Sequence, residues 1–434
     1  MTCEQTFWLV LAALAWLIES YDIGLTSVIL LPFSTLFHLT SSDRGLLVLA
    51  PTVGIVLGVV PSGVVADRVG RKTLFAWAML WYSLWTFASG FVSHWETLAL
   101  LRFVAGLGLG AMFPLPYTLL AELSPAPVRG RVAGILDAFL SIGYFAAPFA
   151  GALVARHLGL QNGWRLLFYG GGIGILYAGA LALWLPESPH WLLANNRPRE
   201  AWRILHRIGR SMRPARIAPA PYRFSDVFRG VYRTRTAMLW IAFPSILFLF
   251  YAIMNFMPIV LKLEHLSDAA ALNFSALIMA ASIPGKLTEA WLVEQVGRKA
   301  LIVGFTVTAS LAAALFPLVR GTGPLVIMGM ALAFFGIAVD PAMKIYTAEQ
   351  YPTRFRATGV GLAEGMARLF GGALAPYIFS VLLAFAGIVG SFLFVALVGI
   401  AGAIAVGVLG TETRGQALPD TPAEISATRR RHRI

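Results

Sequence analysis

Apolar runs about as long as a bilayer is thick recur along this chain, separated by short polar clusters. Crossing the hydrocarbon core takes about 20 apolar residues in a helix. Twelve stretches reach that length, at roughly 7–31, 46–65, 74–92, 98–121, 132–155, 165–185, 237–261, 272–294, 300–319, 324–348, 359–385 and 388–409. The longest polar interval, 186–236, divides them six and six. It holds eleven Arg but only three acids, Glu187, Glu200 and Asp226. Within it, "RPREAWRILHRIGRSMR" sets Trp202, Leu205 and Ile208 at helical spacing among arginines. That pattern predicts either an amphipathic helix on the inner membrane surface or a solvated linker with a short helix. No cleavable signal peptide is read at the start, because "MTCEQT" carries no positive charge and the apolar run after it is too long.

Composition agrees with the pattern. The chain is 58% hydrophobic and 13% charged, which excludes a soluble domain of this length. Its net charge of +13 would fit a nucleic-acid partner until the charges are mapped. With twelve spans, the termini and the loops on their side hold 25 of the 34 Lys and Arg. The opposite side holds Arg44, Arg156, Arg165, Lys262 and Arg320. This is the positive-inside bias, with both termini cytoplasmic, and it replaces nucleic acid as the explanation. A single cysteine, Cys3, cannot form an intrachain disulfide. No metal-ligand cluster, cofactor motif or nucleophile–base arrangement is read, so the expectation is a non-enzyme without cofactor or metal. "GLGLG" at 106–110 lies inside a span with no strand before it, so helix packing is expected of it rather than dinucleotide binding.

A motif is written twice. Gly70-Arg71-Lys72 returns 227 residues later as Gly297-Arg298-Lys299. Glu122, Pro125 and Arg129 return at the same offset as Glu349, Pro352 and Arg356. One offset shared by two separate motifs implies an internal duplication of six spans, a common plan in secondary transporters. A channel or a membrane enzyme would also span the bilayer many times, but neither calls for the duplication.

These residues resemble the major facilitator superfamily over nearly the whole chain. "GVVADRVGRK" is similar to that family's motif between helices 2 and 3, and "RFVAGLGLG" to its helix 4 motif. "PESPHWL" resembles the signature after helix 6 of the sugar porters, with His190 where Arg is usual. "EQYPTRFRATGVGLAEGMARLFGGALAP" is similar to the metabolite:proton symporters, a branch with nicotinate and aromatic-acid carriers that is related to organic-ion and synaptic-vesicle transporters. Helix 7 reads "FPSILFLFYAIMNFMP" and lacks the glutamine-rich motif of sugar porters. The resemblance implies a conformational latch on the cytoplasmic loops. Asp67, Arg71, Glu122, Arg129 and Arg131 would belong to one half, and Glu294, Arg298, Glu349, Arg354 and Arg356 to the other. The alternative is that these charges only anchor topology.

Charges inside spans cost roughly 2.5–3.5 kcal/mol each at the centre on insertion scales, so each is expected to have a partner or a task. Lys286 and Glu289, Asp340 and Lys344, and Glu364 and Arg368 stand at helical-neighbour spacing. They are expected to form self-neutralised pairs, with Lys344, Arg368 and Asp340 also open to a substrate. The first half is unbalanced, with Glu19, Asp22 and Asp137 against Arg102 alone. Burial and like charge favour a protonated carboxyl, and a nearby Arg favours the ionised one, so such a site could load and release a proton. The resemblance implies the same pairing of a helix 1 Asp with a helix 4 Arg. A static buried pair is the alternative. Helix 7 offers Tyr251 and Asn255 as substrate contacts among Phe243, Phe248, Phe250 and Phe256, most of which are expected to face lipid.

The expected fold is an all-α membrane protein of twelve transmembrane helices in two pseudo-symmetric six-helix bundles. Residues 1–185 and 237–411 would form the bundles, 186–236 a basic cytoplasmic linker, and 412–434 a cytoplasmic tail. The expected function is proton-coupled uptake of a small organic acid, such as an aromatic carboxylate, by alternating access. Its partners would be the substrate, protons and the lipid bilayer, in a bacterial inner membrane. A sugar or polyol symporter, a proton-driven exporter, and a non-transporting membrane sensor are the other readings.

Overall fold

Side-chain caps set the first helices. Thr2 and Gln5 form a reciprocal capping box at the start of α1 (Cys3–Leu36), and Thr40 and Asp43 form another at α2 (Ser41–Val69). The computed structural model describes residues 2–124, 129–208, 224–352 and 356–414, and these contain helices, turns and no strand. The first half continues with α3 (Arg71–Ser89), α4 (Trp95–Met112), α5 (Pro114–Leu123), α6 (Arg129–His157), α7 (Leu160–Gly171) and α8 (Ile173–Trp184). Two short helices, α9 (Pro189–Ala194) and α10 (Pro198–Arg207), occupy the linker. The second half holds α11 (Gly230–Leu263), α12 (Asp268–Ala280), α13 (Ser282–Val296), α14 (Arg298–Leu315), α15 (Thr322–Gly336), α16 (Val339–Glu349), α17 (Arg356–Met366) and α18 (Ala375–Leu409). A π-helical turn, Ala367–Leu374, joins α17 to α18.

Among the described residues, ten helical segments are long and apolar enough to cross a bilayer. Two physical reasons connect that number to twelve. One segment, Thr358–Leu409, runs for 52 residues, but Gly387 inside it has φ 65° and ψ −169°, so it is two helices joined at a glycine. The other reason is α3, whose Trp77, Trp81, Tyr82 and Trp85 lower its hydropathy. At 19 residues it is still about 28 Å long at 1.5 Å per residue. Several spans expected as single helices are broken instead. Phe113-Pro114 separates α4 from α5, Gly172 separates α7 from α8, and breaks divide α12 from α13 and α15 from α16.

The duplication is visible in the helices. α1 and α11 are each 34 residues long and begin 227 residues apart. They are also the most deeply buried spans, each with 78% of its apolar window inside the protein. The expectation that most helix 7 aromatics face lipid is therefore corrected. Phe243, Phe248, Phe250, Tyr251 and Phe256 are all buried in protein, because α11 is a central helix.

Two compact units divide the chain. The first contains Met1–Pro214, Met254–Ile283 and Pro376–Phe385; the second contains Ala215–Ile253, Pro284–Ala375 and Ala386–Ile434. In the first unit, α2 and α4 approach closely enough to exclude any side chain at four glycines. A Cβ at Gly54 would overlap the Phe103 carbonyl, and one at Gly58 the Leu107 carbonyl. One at Gly106 would overlap the Pro51 carbonyl, and one at Gly110 the Ile55 carbonyl. Close backbone approach through small residues is how helices associate where lipid removes the hydrophobic drive between them. Gly108 faces the other way and abuts the Trp81 ring of α3. In the second unit, Gly371 plays the same part against the Pro244 carbonyl of α11. Gly106→Val should therefore destabilise the first unit by about 1–3 kcal/mol through overpacking, read as a lowered Tm in detergent. Gly304→Val, where a Cβ meets nothing, should leave Tm within error.

Candidate functional site

The first unit encloses a complete ion pair. Asp22 of α1 and Arg102 of α4 are each only 1% exposed. Arg102 Nη1 donates to Asp22 Oδ1 at 2.8 Å and Nη2 to Oδ2 at 3.0 Å, a bidentate pairing. Nη2 also donates to the Asp22 carbonyl at 3.1 Å. The Thr86 hydroxyl of α3 donates to Oδ1 at 2.7 Å and accepts from Nη1 at 3.2 Å. Phe168 of α7 lies under the guanidinium, 5.9 Å from its carbon. Two other helices thus hold one carboxylate, and a third covers the guanidinium. Glu19, one turn earlier on α1, is fully buried, and its carboxyl and that of Asp22 both act on the Tyr82 phenol of α3. Asp137 of α6 has a hydroxyl partner of its own. It accepts from the Tyr117 hydroxyl at 2.7 Å, and the Tyr117 ring stands edge-on to Trp16 at 4.9 Å.

The second unit gathers the other charges into one cluster. Lys344 Nζ lies 2.7 Å from Asp340 Oδ2, and Arg368 Nε lies 3.4 Å from Glu364 Oε2. Asp340 also feels Lys286 and Arg368, and Tyr251 feels all four of Arg368, Asp340, Lys344 and Glu364. Asp340 Oδ1 is buried with no hydrogen bond among the described residues. Lys286, read only as a structural pair in the sequence, therefore belongs beside the expected substrate residues. Arg368 sits on the π-helical turn, a distortion often found at functional sites. Asn255 is buried but belongs to the first compact unit, whereas Tyr251 belongs to the second.

The repeat separates the two charge sites. The positions 227 residues after Glu19, Asp22 and Arg102 are Ile246, Leu249 and Gly329. The acid–base pair therefore occurs in one copy only. Asp340, Lys344 and Arg368 correspond in turn to Phe113, Tyr117 and Ser141.

The loop charges form a matched clasp within each unit. Arg71 pairs with Glu122, and the Ser188 hydroxyl donates to the same carboxylate. Glu187 Oε1 accepts from the backbone N–H of Lys72 at 3.0 Å and of Ser188 at 2.8 Å. In the second unit, Arg298 pairs with Glu294 at 2.9 Å and Glu349 at 3.4 Å, and Thr413 donates to Glu349 at 2.5 Å. Glu412 accepts from the backbone N–H groups of Arg298 at 2.9 Å and Lys299 at 3.1 Å. Each carboxylate satisfies open N–H groups at a helix start, where the dipole favours negative charge. Gly70 and Gly297, at φ 101° and 95°, make the turn that presents those groups. The sequence reading missed Glu187, Ser188, Glu412 and Thr413 as clasp members. Their signal was a second offset, Glu-Ser to Glu-Thr at 225 residues. Among the other latch residues, Asp67 is exposed and its carbonyl accepts from the Trp191 indole at 2.8 Å, while Arg356 donates to the Tyr351 carbonyl at 3.1 Å. Pro125 and Arg354 lie outside the described residues, as do the side chains of Arg129 and Arg131.

A multi-pass helical protein of two repeats, with one sealed ion pair, one polar cluster and a clasp in each half, has the parts of a membrane transport protein. Residues 12–339 match the family description Major Facilitator Superfamily. The chain belongs to that superfamily and is a secondary active transporter. It is 32% identical to the niacin transporter NiaP of Acinetobacter baylyi over 93% of each chain. It is 28% identical to the 4-hydroxybenzoate transporter PcaK of Pseudomonas putida, over 76% of this chain and 75% of that one. The solved structure of a D-xylose–proton symporter superposes with TM-score 0.77, covering 94% of this chain and 99% of that chain at 19% identity, a likeness of fold.

Removing one partner of a buried ion pair typically costs about 3–5 kcal/mol, because the other charge is left uncompensated. Arg102→Ala should therefore lower Tm markedly. The double variant Arg102→Ala with Asp22→Asn should recover part of that loss, since neither charge is then buried alone. A double variant no more stable than Arg102→Ala would show that the pairing is not what stabilises the site.

Proposed function

We propose that this transporter couples the uptake of a small aromatic carboxylate to protons, with Asp22 as the proton carrier and Arg102 as its switchable partner. The observation that carries the reading is the bidentate Asp22–Arg102 pair, sealed in the membrane by Thr86 and Phe168. Protonation of Asp22 removes the charge that holds Arg102, and deprotonation restores it. The pair thus offers two discrete arrangements, which coupling to a conformational equilibrium requires. Glu19, one turn away, adds a second carboxyl to the same buried region. One proton charge moved through 100 mV contributes about 2.3 kcal/mol before any pH gradient is added.

The substrate reading rests on the cationic cluster of Lys344, Arg368 and Lys286 beside Tyr251. Three cationic side chains gathered around Asp340 would suit a carboxylate, and a tyrosine ring suits a flat body. The relatives named for niacin and 4-hydroxybenzoate support that class, because both compounds carry a carboxylate on an aromatic ring. The clasp residues Asp67, Arg71, Glu122, Arg129, Glu294, Arg298, Glu349 and Arg356 would brace the loops through which the two repeats change conformation.

Uptake into proteoliposomes with and without an imposed pH gradient tests the coupling. Asp22→Asn should bind and exchange an aromatic carboxylate but fail to concentrate it. Concentration by Asp22→Asn under that gradient would move the proton site elsewhere, with Asp137 next. Lys344→Ala or Arg368→Ala should weaken carboxylate binding about tenfold or more, the worth of a lost charge-assisted contact of about 1.5–3 kcal/mol, and more than Asn255→Ala does. Stabilisation by neutral polyols but not by carboxylates would overturn the substrate class.

The positive-inside bias supports an orientation with both termini and the 186–236 linker in the cytoplasm of a bacterial cell. Accessibility tags at all three places should report that side, and an external linker would reverse the assignment.

A further inference from the structure

Beside its clasp, the first unit holds a cavity of about 410 Å³ at the loop end of α3. Lys72, Thr73 and Trp77 of α3 form one wall, and Glu187, Trp191 and Arg197 of the linker form the other. Its surroundings change character across a short distance. Trp77 is 62% exposed, and Leu183 and Trp184 of neighbouring α8 are 76% and 58% exposed, so this flank faces hydrocarbon. The opposite flank is the cationic surface of α10, with Arg199 and Arg203 exposed. Exposed tryptophans between an apolar wall and a basic loop mark the membrane–water interface. Helix α10 turns Ala201 and Leu205 inward, with Ile208 just beyond its end also buried. Of the Trp202, Leu205 and Ile208 stripe, the last two therefore pack on protein, leaving Trp202 and the arginines outward.

The charges in the cavity are unequal in what they have left to bind. Both Glu200 oxygens accept from Arg197, at 2.6 and 2.8 Å, and Glu187 Oε1 is occupied by two backbone N–H groups. Arg197 rests over the Trp191 ring at 6.0 Å and keeps Nη1 outside the Glu200 pairing. Lys72 pairs with no carboxylate among the described residues, whereas Arg71 beside it is held by Glu122. The repeat supplies an internal comparison. Lys299, the counterpart of Lys72, donates its ammonium to the Gly410 carbonyl at 3.1 Å. The same Gly-Arg-Lys motif thus leaves its lysine committed in one copy and open to a cavity in the other.

We propose that this cavity binds the headgroup of an anionic glycerophospholipid from the linker-side leaflet. The phosphate would sit between the Lys72 ammonium and the Arg197 guanidinium, and the acyl chains would run over Trp77 and Leu183. A compact ammonium and a planar guanidinium are the usual phosphate ligands, and the exposed arginines of α10 draw anionic lipid toward the mouth. The site adjoins the clasp, because the Lys72 amide is one of the two N–H groups that Glu187 holds.

Native mass spectrometry of the full-length protein, titrated with phosphatidylglycerol, phosphatidylcholine or glycerol phosphate, tests the proposal. Phosphatidylglycerol should bind at least tenfold more tightly than phosphatidylcholine. Lys72→Ala should remove most of that preference, and Lys299→Ala should leave it intact. Equal binding of the two lipids, or an unchanged preference in Lys72→Ala, would overturn the site. Glycerol phosphate binding as tightly as the lipid would make it a soluble-anion site instead. Should Lys72→Ala not fold, quenching by brominated phosphatidylglycerol decides, since the proposal requires that Trp77→Phe remove a quenched component and fails if it does not.

Discussion

Hydrocarbon solvates neither peptide groups nor charges, and every feature of this protein answers that constraint. Backbone groups are satisfied inside helices, the only structure among the described residues that can span lipid unaided. Hydroxyls turn back onto their own helices, as Ser20 does onto the Trp16 carbonyl and Ser275 onto the Ala271 carbonyl. The same constraint makes the Asp22–Arg102 pair informative. An exposed ion pair would say little, but this one is closed off by contributions from α1, α3, α4 and α7. An element that difficult to bury is what the proposed proton role rests on.

The duplication divides labour between copies of one scaffold. Both retain the turn glycine, the Arg–Glu pair and a carboxylate on the N–H groups of the following helix. Those are the parts that set loop geometry, which both halves need. The interior of the spans has diverged instead. The first copy has Glu19, Asp22 and Arg102 where the second has Ile246, Leu249 and Gly329. The second has Asp340, Lys344 and Arg368 where the first has Phe113, Tyr117 and Ser141. The acid at Asp137 and Glu364 is shared, yet its partner is the Tyr117 hydroxyl in one copy and Arg368 in the other. The two charge sites proposed for proton and substrate therefore lie on different copies of the repeat.

Irregular backbone concentrates where function is proposed. Arg368 stands on a π-helical turn whose Gly371 presses on the Pro244 carbonyl, so the extra residue per turn and the close approach occur together. α16 carries Asp340 and Lys344 and begins at a break after α15. Pieces of helix can be placed independently, which one straight rod through the membrane does not allow.

The sequence by itself determined the membrane class, the twelve-span reading, the duplication and the list of intramembrane charges, because hydropathy and a shared offset are local or periodic signals. It also made the Asp22–Arg102 pairing expectable, since Arg102 was the only base among the first-half spans. It did not show which helices are central. α1 and α11 are apolar around most of their circumference, and a side chain suited to lipid is equally suited to a protein interior, so the pattern carries no contrast between them. That is why the helix 7 aromatics were read as facing lipid and are buried. Nor could it show that Thr86 and Phe168 complete the Asp22–Arg102 site, or that Glu187 and Glu412 cap α3 and α14, since those contacts join residues 64 to 115 positions apart. Only packing decided these partners, because a buried polar group accepts whichever neighbour the fold brings within hydrogen-bond reach, at any distance along the chain.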